Sequence, residues 1–168
     1  LIEENIDYLL RVGPLANSRL IARPLGKLPL VNVTSPDNLA RHGTPQHPDD
    51  LDSHLVANYA SPSSGRVAPW EWTIDGETKT LTPRGRVTVN NAEAYIACCL
   101  AGLGLIQIPI YDVKNHLAAG ALVEVMPHFR ATPMPMTLLY PHRRHLSHRL
   151  RVFADWFEGV LRRETRAD

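Results

Sequence analysis

"TVNNAEAYIACCLAGLGLIQIP", residues Thr88 to Pro109, is the most apolar stretch of the chain, yet it opens on two asparagines. From Ala94 to Tyr111 the run is long enough to raise the possibility of a membrane-spanning helix. Gly102, Gly104, Gln107 and Pro109 argue against one, because they divide the run. A helix of about three turns comes first, then a glycine stop, then the short strand Leu105–Pro109. With Arg86–Val89 upstream the whole stretch reads as strand–helix–strand. The parallel strands of such a unit are expected to be buried on both faces, hence continuously hydrophobic.

The asparagines fall where that reading gives them work. In a strand–helix–strand unit, ligands settle beyond the carboxyl end of the first strand, at the amino end of the helix. Asn90 or Asn91 can cap the helix, leaving backbone N–H groups that point outward with the positive end of the helix dipole. That makes a site for a carboxylate or phosphate. A second reading competes with it: Asn90-x-x-Glu93 has the spacing of a capping box, in which side chains satisfy those N–H groups themselves. The polar pair starts the helix in both cases.

Outward from this unit, strand and helix signals alternate. Asp75–Gly76, between "WEWTI" and "ETKTL", predicts a tight hairpin. Trp70 and Trp72 flank Glu71 before it, either leaning into a cleft or serving as cross-strand core. Ser35–Pro36–Asp37 is a helix start with a capping side chain, and Gly43 its stop. Another short helical turn begins at Pro48. Further upstream, two extended runs are expected to break at Pro24–Leu25–Gly26, and the alternation of Ile6, Tyr8, Leu10 and Val12 predicts a strand ending at Gly13–Pro14. Downstream, Gly120 ends a helix before a further strand, and "MTLLYP" (Met136–Pro141) is another strand. The chain closes with a helix from about Ser147, carrying Leu150, Phe153, Phe157, Val160 and Leu161 at helical spacing. The pattern is α/β.

The bulk properties narrow the function. The 168 residues suffice for one sizeable domain or two small lobes. Lys and Arg total 18 against 17 Asp and Glu, so the net charge is 18 − 17 = +1, without the basic excess of a chain that grips phosphates. The two cysteines, Cys98 and Cys99, are adjacent, which makes a structural disulfide strained and suits reduced thiols in a cytoplasmic protein. The chain opens at Leu1 without a basic-then-apolar leader, and its first residues read like the tail of a helix followed by a strand. The expectation is a fragment that begins mid-fold.

Catalytic signatures do not emerge from the spacing. "SPSSG" (Ser61–Gly65) does not match the nucleophile turn of hydrolases, and there is no HExxH or phosphate-loop motif. "PHRRHLSHRLR" offers His145-x-x-His148 as a metal pair, with no third Cys or acidic ligand close in sequence. Ser147 there reads better as the cap of the last helix.

Four stretches together carry a resemblance: "LLRVGPLANSRLIARPLG", "VTSPDNLARHGTPQHPDDL", "PRGRVTVNNAEAYIACCLAGLGLIQIP" and "LLYPHRRHLSHRLRVFADWF". In order and spacing they resemble the effector-binding domain of LysR-type transcriptional regulators, over about Ile6 to Trp156. No one motif is specific. The resemblance implies a two-lobe α/β domain like the type 2 periplasmic binding proteins, with the N-terminal part of the first lobe missing. It places residues 1–33 in the first lobe, 34–134 in the second, and 135–168 in a return to the first. It implies an effector between the lobes, with Thr34 and Ser35 near a crossover and Asn90 and Asn91 lining the cleft. Thr88 and Trp70 complete the candidate effector-binding set. No catalytic residue, metal or cofactor is expected. The implied partners are a small, anionic metabolite, a further copy of the parent protein as homodimer or homotetramer, and DNA through a helix-turn-helix outside this chain. The alternative is a solute-binding protein of the same architecture serving a transporter.

Overall fold

A computed structural model describes residues 9–13, 20–62, 64–141 and 148–165. In chain order the elements are β1 (Leu9–Val12), β2 (Leu20–Leu28), β3 (Leu30–Thr34), α1 (Pro36–His42), β4 (Val56–Tyr59), β5 (Trp70–Ile74), β6 (Glu77–Leu81) and β7 (Gly85–Val89). Then follow α2 (Ala92–Leu100), β8 (Ile106–Pro109), α3 (Ile110–Ala118), β9 (Val123–Glu124), β10 (Met134–Pro141) and α4 (His148–Thr165). Two compact units form, one from Leu1–Pro29 with Pro133–Asp168, the other from Leu30–Thr132. Thr34 and Ser35 therefore lie inside the second unit, several residues beyond the point where the chain enters it.

The second unit is built on β3, every residue of which is buried. β8 runs antiparallel to it, Leu30 opposite Pro109 and Val33 opposite Ile106, and β9 pairs with its other side. β4 and β7 are parallel neighbours, and an isolated parallel bridge from Val56 to Leu105 sets β4 beside the start of β8. The resulting order is β7–β4–β8–β3–β9. The strand–helix–strand unit exists, but β4 lies between its two strands. Burial on both faces holds for β3 and not for β7, whose residues are exposed or half-buried. Among the described residues β7 is the last strand of the sheet, with β4 on one side only, and Arg86 and Thr88 are exposed.

Two core clusters fill this unit. Val31, Val33, Tyr95, Cys99, Ile106, Ile108, Val113 and Leu122 form one, tying α2 and α3 to the sheet. Leu51, Val56, Trp70, Trp72, Leu105, Val125 and Met126 form the other, under the β5–β6 hairpin. The hairpin turns at Asp75 and Gly76, at φ 51° and 80°, with Ile74 opposite Glu77. Both turn residues have positive φ, as the primed two-residue turn requires.

The helix stops are equally local in origin. Gly102, at φ 71°, donates its N–H to Cys99 O, and Leu103 donates to Cys98 O. This paired return closes α2 by satisfying its last carbonyls. Gly120 ends α3 in the same way, with bonds from Gly120 to Leu117 O and from Ala121 to His116 O.

In the first unit β10 lies between β1 and β2, antiparallel to both. The expected break at Pro24–Leu25–Gly26 does not occur, and β2 runs unbroken from Leu20 to Leu28. Gly26 faces Met136 and Pro24 faces Thr137, so Leu25 is the extra residue of a bulge. The bulge, on a strand that is at the edge among the described residues, absorbs the proline, which has no N–H to give the ladder. Leu25 turns into a core with Leu28, Met136, Leu138 and Ala154 of α4. Arg23 adds ion pairs from β2 to Asp155 and Glu158 of α4. The alternation read at the start yields β1, but its Leu9, Leu10 and Val12 are all exposed, and Ile6 and Tyr8 fall outside the described residues.

Candidate functional site

The amino end of α2 lies where β7, β4 and β8 all finish, at the carboxyl edge of the parallel strands. Asn91 has extended backbone (φ −143°, ψ 156°), and its Oδ1 accepts the Ala94 N–H at 2.9 Å. Asn91 alone is the cap. The box expected between Asn90 and Glu93 does not form, because capping by Asn91 puts Ala94, which has no carboxylate, at the third helical position. Asn90 instead accepts from Asn91 Nδ2 at 3.4 Å through its side chain, and its carbonyl takes the Tyr59 hydroxyl at 3.4 Å. With Ala94 satisfied by the cap, the N–H groups of Ala92 and Glu93 are the orphan donors every helix start leaves. Thr88, Asn90 and Asn91 are all exposed around them.

α3 starts at the same edge, directly after β8, and Pro109 gives it no side-chain cap. Asp112 in its first turn has its carboxyl pushed above the usual carboxylate range, first by burial and further by the charge of Glu93; the Tyr111 hydroxyl opposes the shift. Acid groups and helix-end donors therefore meet here.

Thr34 and Ser35 lie at the other edge. Leu30 faces Pro109 while Thr34 faces Val123, so the length of β3, about 13 Å at ~3.3 Å per residue, separates them from the Asn90–Asn91 end. Ser35 is buried and caps α1, its Oγ accepting the Asn38 N–H at 3.3 Å. Asn38 passes the contact on through Nδ2 to Gly102 O at 3.2 Å. Thr34 is fully buried, its hydroxyl without a hydrogen-bond partner. Trp70 is 3% exposed in the second core cluster and presents no ring to solvent. The structure thus brings Thr88, Asn90 and Asn91 together, sets Thr34 and Ser35 at the other edge, and buries Trp70 in the core.

One polar assembly escaped the sequence reading. Gln107 Nε2 donates to Asn32 Oδ1 at 2.8 Å and to Glu71 O at 2.7 Å, while its Oε1 accepts the Glu71 N–H at 3.2 Å. Asn32 Nδ2 reaches Phe129 O at 2.9 Å. The signal was present: an amide in "LIQIP" and another in "LVNVT", each inside a buried strand where a polar group needs a partner.

Cys98 and Cys99 are free thiols. Burial pushes the Cys99 thiol up to about 12, and it points at Val33 O, 3.5 Å away. Among the described residues no group of three or more His, Cys, Asp or Glu is placed to hold a metal, and no helix is long and apolar enough to cross a membrane. His145 and Ser147, of the His145–His148 pair and the last helix cap, lie outside the described residues.

Two α/β units traversed by one chain that leaves the first and returns to it define a two-lobe binding-protein class of fold. The chain belongs to the family of LysR substrate binding domains, whose family model matches residues 1–162. It is 41% identical over 162 residues to the HTH-type transcriptional regulator YhjC of Escherichia coli K12, covering 96% of this chain and 54% of that protein. Against the HTH-type transcriptional activator AaeR of the same organism it is 30% identical, covering 95% and 52%. The chain spans about half the length of these curated relatives. Among solved structures it is similar to the regulatory domain of CrgA from Neisseria meningitidis, with a TM-score of 0.78 at 29% identity, over 96% of this chain and 78% of that one. The full-length virulence activator AphB of Vibrio cholerae matches at a TM-score of 0.74 and 31% identity, over 91% of this chain and 51% of that one.

Proposed function

We propose that this chain is the metabolite-sensing part of a DNA-binding transcriptional regulator, acting in the cytoplasm as a homodimer or homotetramer, and that its effector is a small anion. The family match over residues 1–162, with relatives named as transcriptional regulators, carries the reading. DNA contact belongs to a helix-turn-helix outside these residues, as the net charge of +1 suits a sensor better than a phosphate-binding surface. The chain acts as a sensor and not as an enzyme.

The amino end of α2 is the anion site of this proposal. Two free N–H groups and the positive end of the helix dipole attract negative charge there, and Asn90, Asn91 and Thr88 add side-chain donors. Thr34, Ser35 and Trp70 support the fold. An effector shifts a regulator only by binding one of its arrangements better than another, so affinity and response are separable quantities.

A thermal-shift screen of small aliphatic and aromatic carboxylates, followed by calorimetry on the best stabiliser, tests the site. Asn91→Asp keeps a capping oxygen but sets a negative charge against the ligand. Affinity should fall tenfold or more, about 1.4 kcal/mol, while the melting temperature hardly moves. Unchanged affinity in both Asn91→Asp and Asn90→Asp would remove the site from α2.

A further inference from the structure

The chain leaves the second unit at Thr132, and the polar groups of that residue are bonded within the unit it is leaving. Its N–H donates to Glu71 Oε1 at 3.3 Å, and its hydroxyl lies 3.0 Å from Thr73 Oγ1 and 3.3 Å from Thr78 Oγ1. Two residues earlier, the Arg130 carbonyl accepts the Thr73 N–H at 3.0 Å, and the Arg130 guanidinium grips Glu124 through Nε and Nη2 at 2.7 and 2.8 Å. Arg130 to Thr132 is thus clipped along the β5–β6 hairpin, although no regular strand forms there.

The hairpin is itself anchored from below. Gln107 on β8 takes both main-chain groups of Glu71, and Asn32 on β3 takes Gln107 at one end and the Phe129 carbonyl at the other. Trp70 and Trp72, on either side of Glu71, are buried. The bonds form a loop: from β3 to β8, to β5, to Thr132, and back along the chain to Phe129. Pro133 and Pro135, just downstream, carry no N–H that a ladder can use. Side chains and the hairpin backbone do the holding instead.

We propose that Glu71 is the clasp of a strap, closing the β5–β6 hairpin over Arg130–Thr132 and fixing the path by which the chain leaves the second unit. This does not depend on the anion site at α2. Opening the clasp loosens the exit segment, leaving it to its bonds with Thr73, Thr78 and Glu124, while β3, β8 and α2 stay folded, a local opening of the kind that proteolysis detects.

Trypsin reads this directly in the full 168-residue chain, because Arg130–Ala131 is a cleavable bond inside the segment and Arg86–Val87, in exposed β7, is a control in the same unit. Mass spectrometry of the fragments gives both rates. In Glu71→Ala, cleavage after Arg130 should be about tenfold faster, with cleavage after Arg86 unchanged. In Glu71→Gln, which keeps an oxygen to accept the Thr132 N–H, both rates should match the parent chain. An unchanged Arg130 rate in Glu71→Ala would overturn the strap. So would equal acceleration in the alanine and glutamine variants, or a parallel rise after Arg86, which marks general loosening of the unit.

Discussion

At Asn91, capping and the proposed ligand binding can be told apart at a single side chain. Its Oδ1 holds the Ala94 N–H at an exposed helix start. Asn91→Ala should therefore cost about 1 kcal/mol of stability, whereas Asn91→Asp should cost a few tenths at most; chemical denaturation of the two variants checks the ordering. His54 supplies a pH dependence. It is buried with Nδ1 unpartnered, and its pKa lies below the ordinary 6.5, chiefly through burial and secondarily through the charge of His42; Asp50 opposes the shift. A histidine depressed in the folded state adds stability above the unfolded value, and that stability is lost as pH falls through the folded value. Between pH 7.5 and 5 the parent chain should lose more melting temperature than His54→Gln, and parallel curves would refute this. Sequence spacing identified Asn90 and Asn91 as a helix start but could not choose between them. The choice depends on which residue reaches N3, and with Asn91 as the cap that residue is Ala94. Nor could spacing put Thr34 and Ser35 on the opposite edge from the asparagines, since that follows from β3 and β8 running antiparallel.

Among the elements, those whose signals are local were legible. The Asp75–Gly76 hairpin, the Ser35 cap with its Gly43 stop, and the glycine end of α2 each need only a few neighbouring residues, and each forms. The elements that differ from expectation depend on distant partners. β2 continues through Pro24–Gly26 because Met136 and Thr137 of β10 accept a bulge, and β7 is exposed because β4 is its only strand neighbour among the described residues. Gly104 shows the same dependence. At φ 152°, a Cβ there would lie 2.7 Å from Leu55 O and 2.9 Å from Ala57 N. Those backbones must come close, because Leu105 N–H donates to Leu55 O at 2.8 Å and Ala57 N–H to Leu105 O at 3.0 Å. Gly104→Ala should destabilise by on the order of 3 kcal/mol or more, since it adds backbone strain to a steric clash that no flexible side chain can relieve. A variant melting within a degree or two of the parent would show that the β4–β8 junction is not tight.

For the whole molecule, the two-unit plan was legible only through the order of several weak motifs, while the polar loop of Asn32, Gln107 and Glu71 was not legible at all. Its members are separated by tens of residues, and folding alone brings them together. The charge balance gives a further expectation. At physiological salt this chain should show no sequence-specific DNA affinity, and operator binding in a mobility-shift assay would contradict its assignment as the sensing part. The most direct test of the central claim is an amide NMR titration of the 168-residue chain with sulfate and with benzoate, at constant ionic strength maintained with chloride. The Ala92 and Glu93 amides should shift saturably with at least one of the two anions, and Asn91→Asp should abolish the shift while the fold is retained. If those two amides stay fixed while residues elsewhere respond, or if Asn91→Asp titrates like the parent chain, the amino end of α2 is not where this protein reads its ligand.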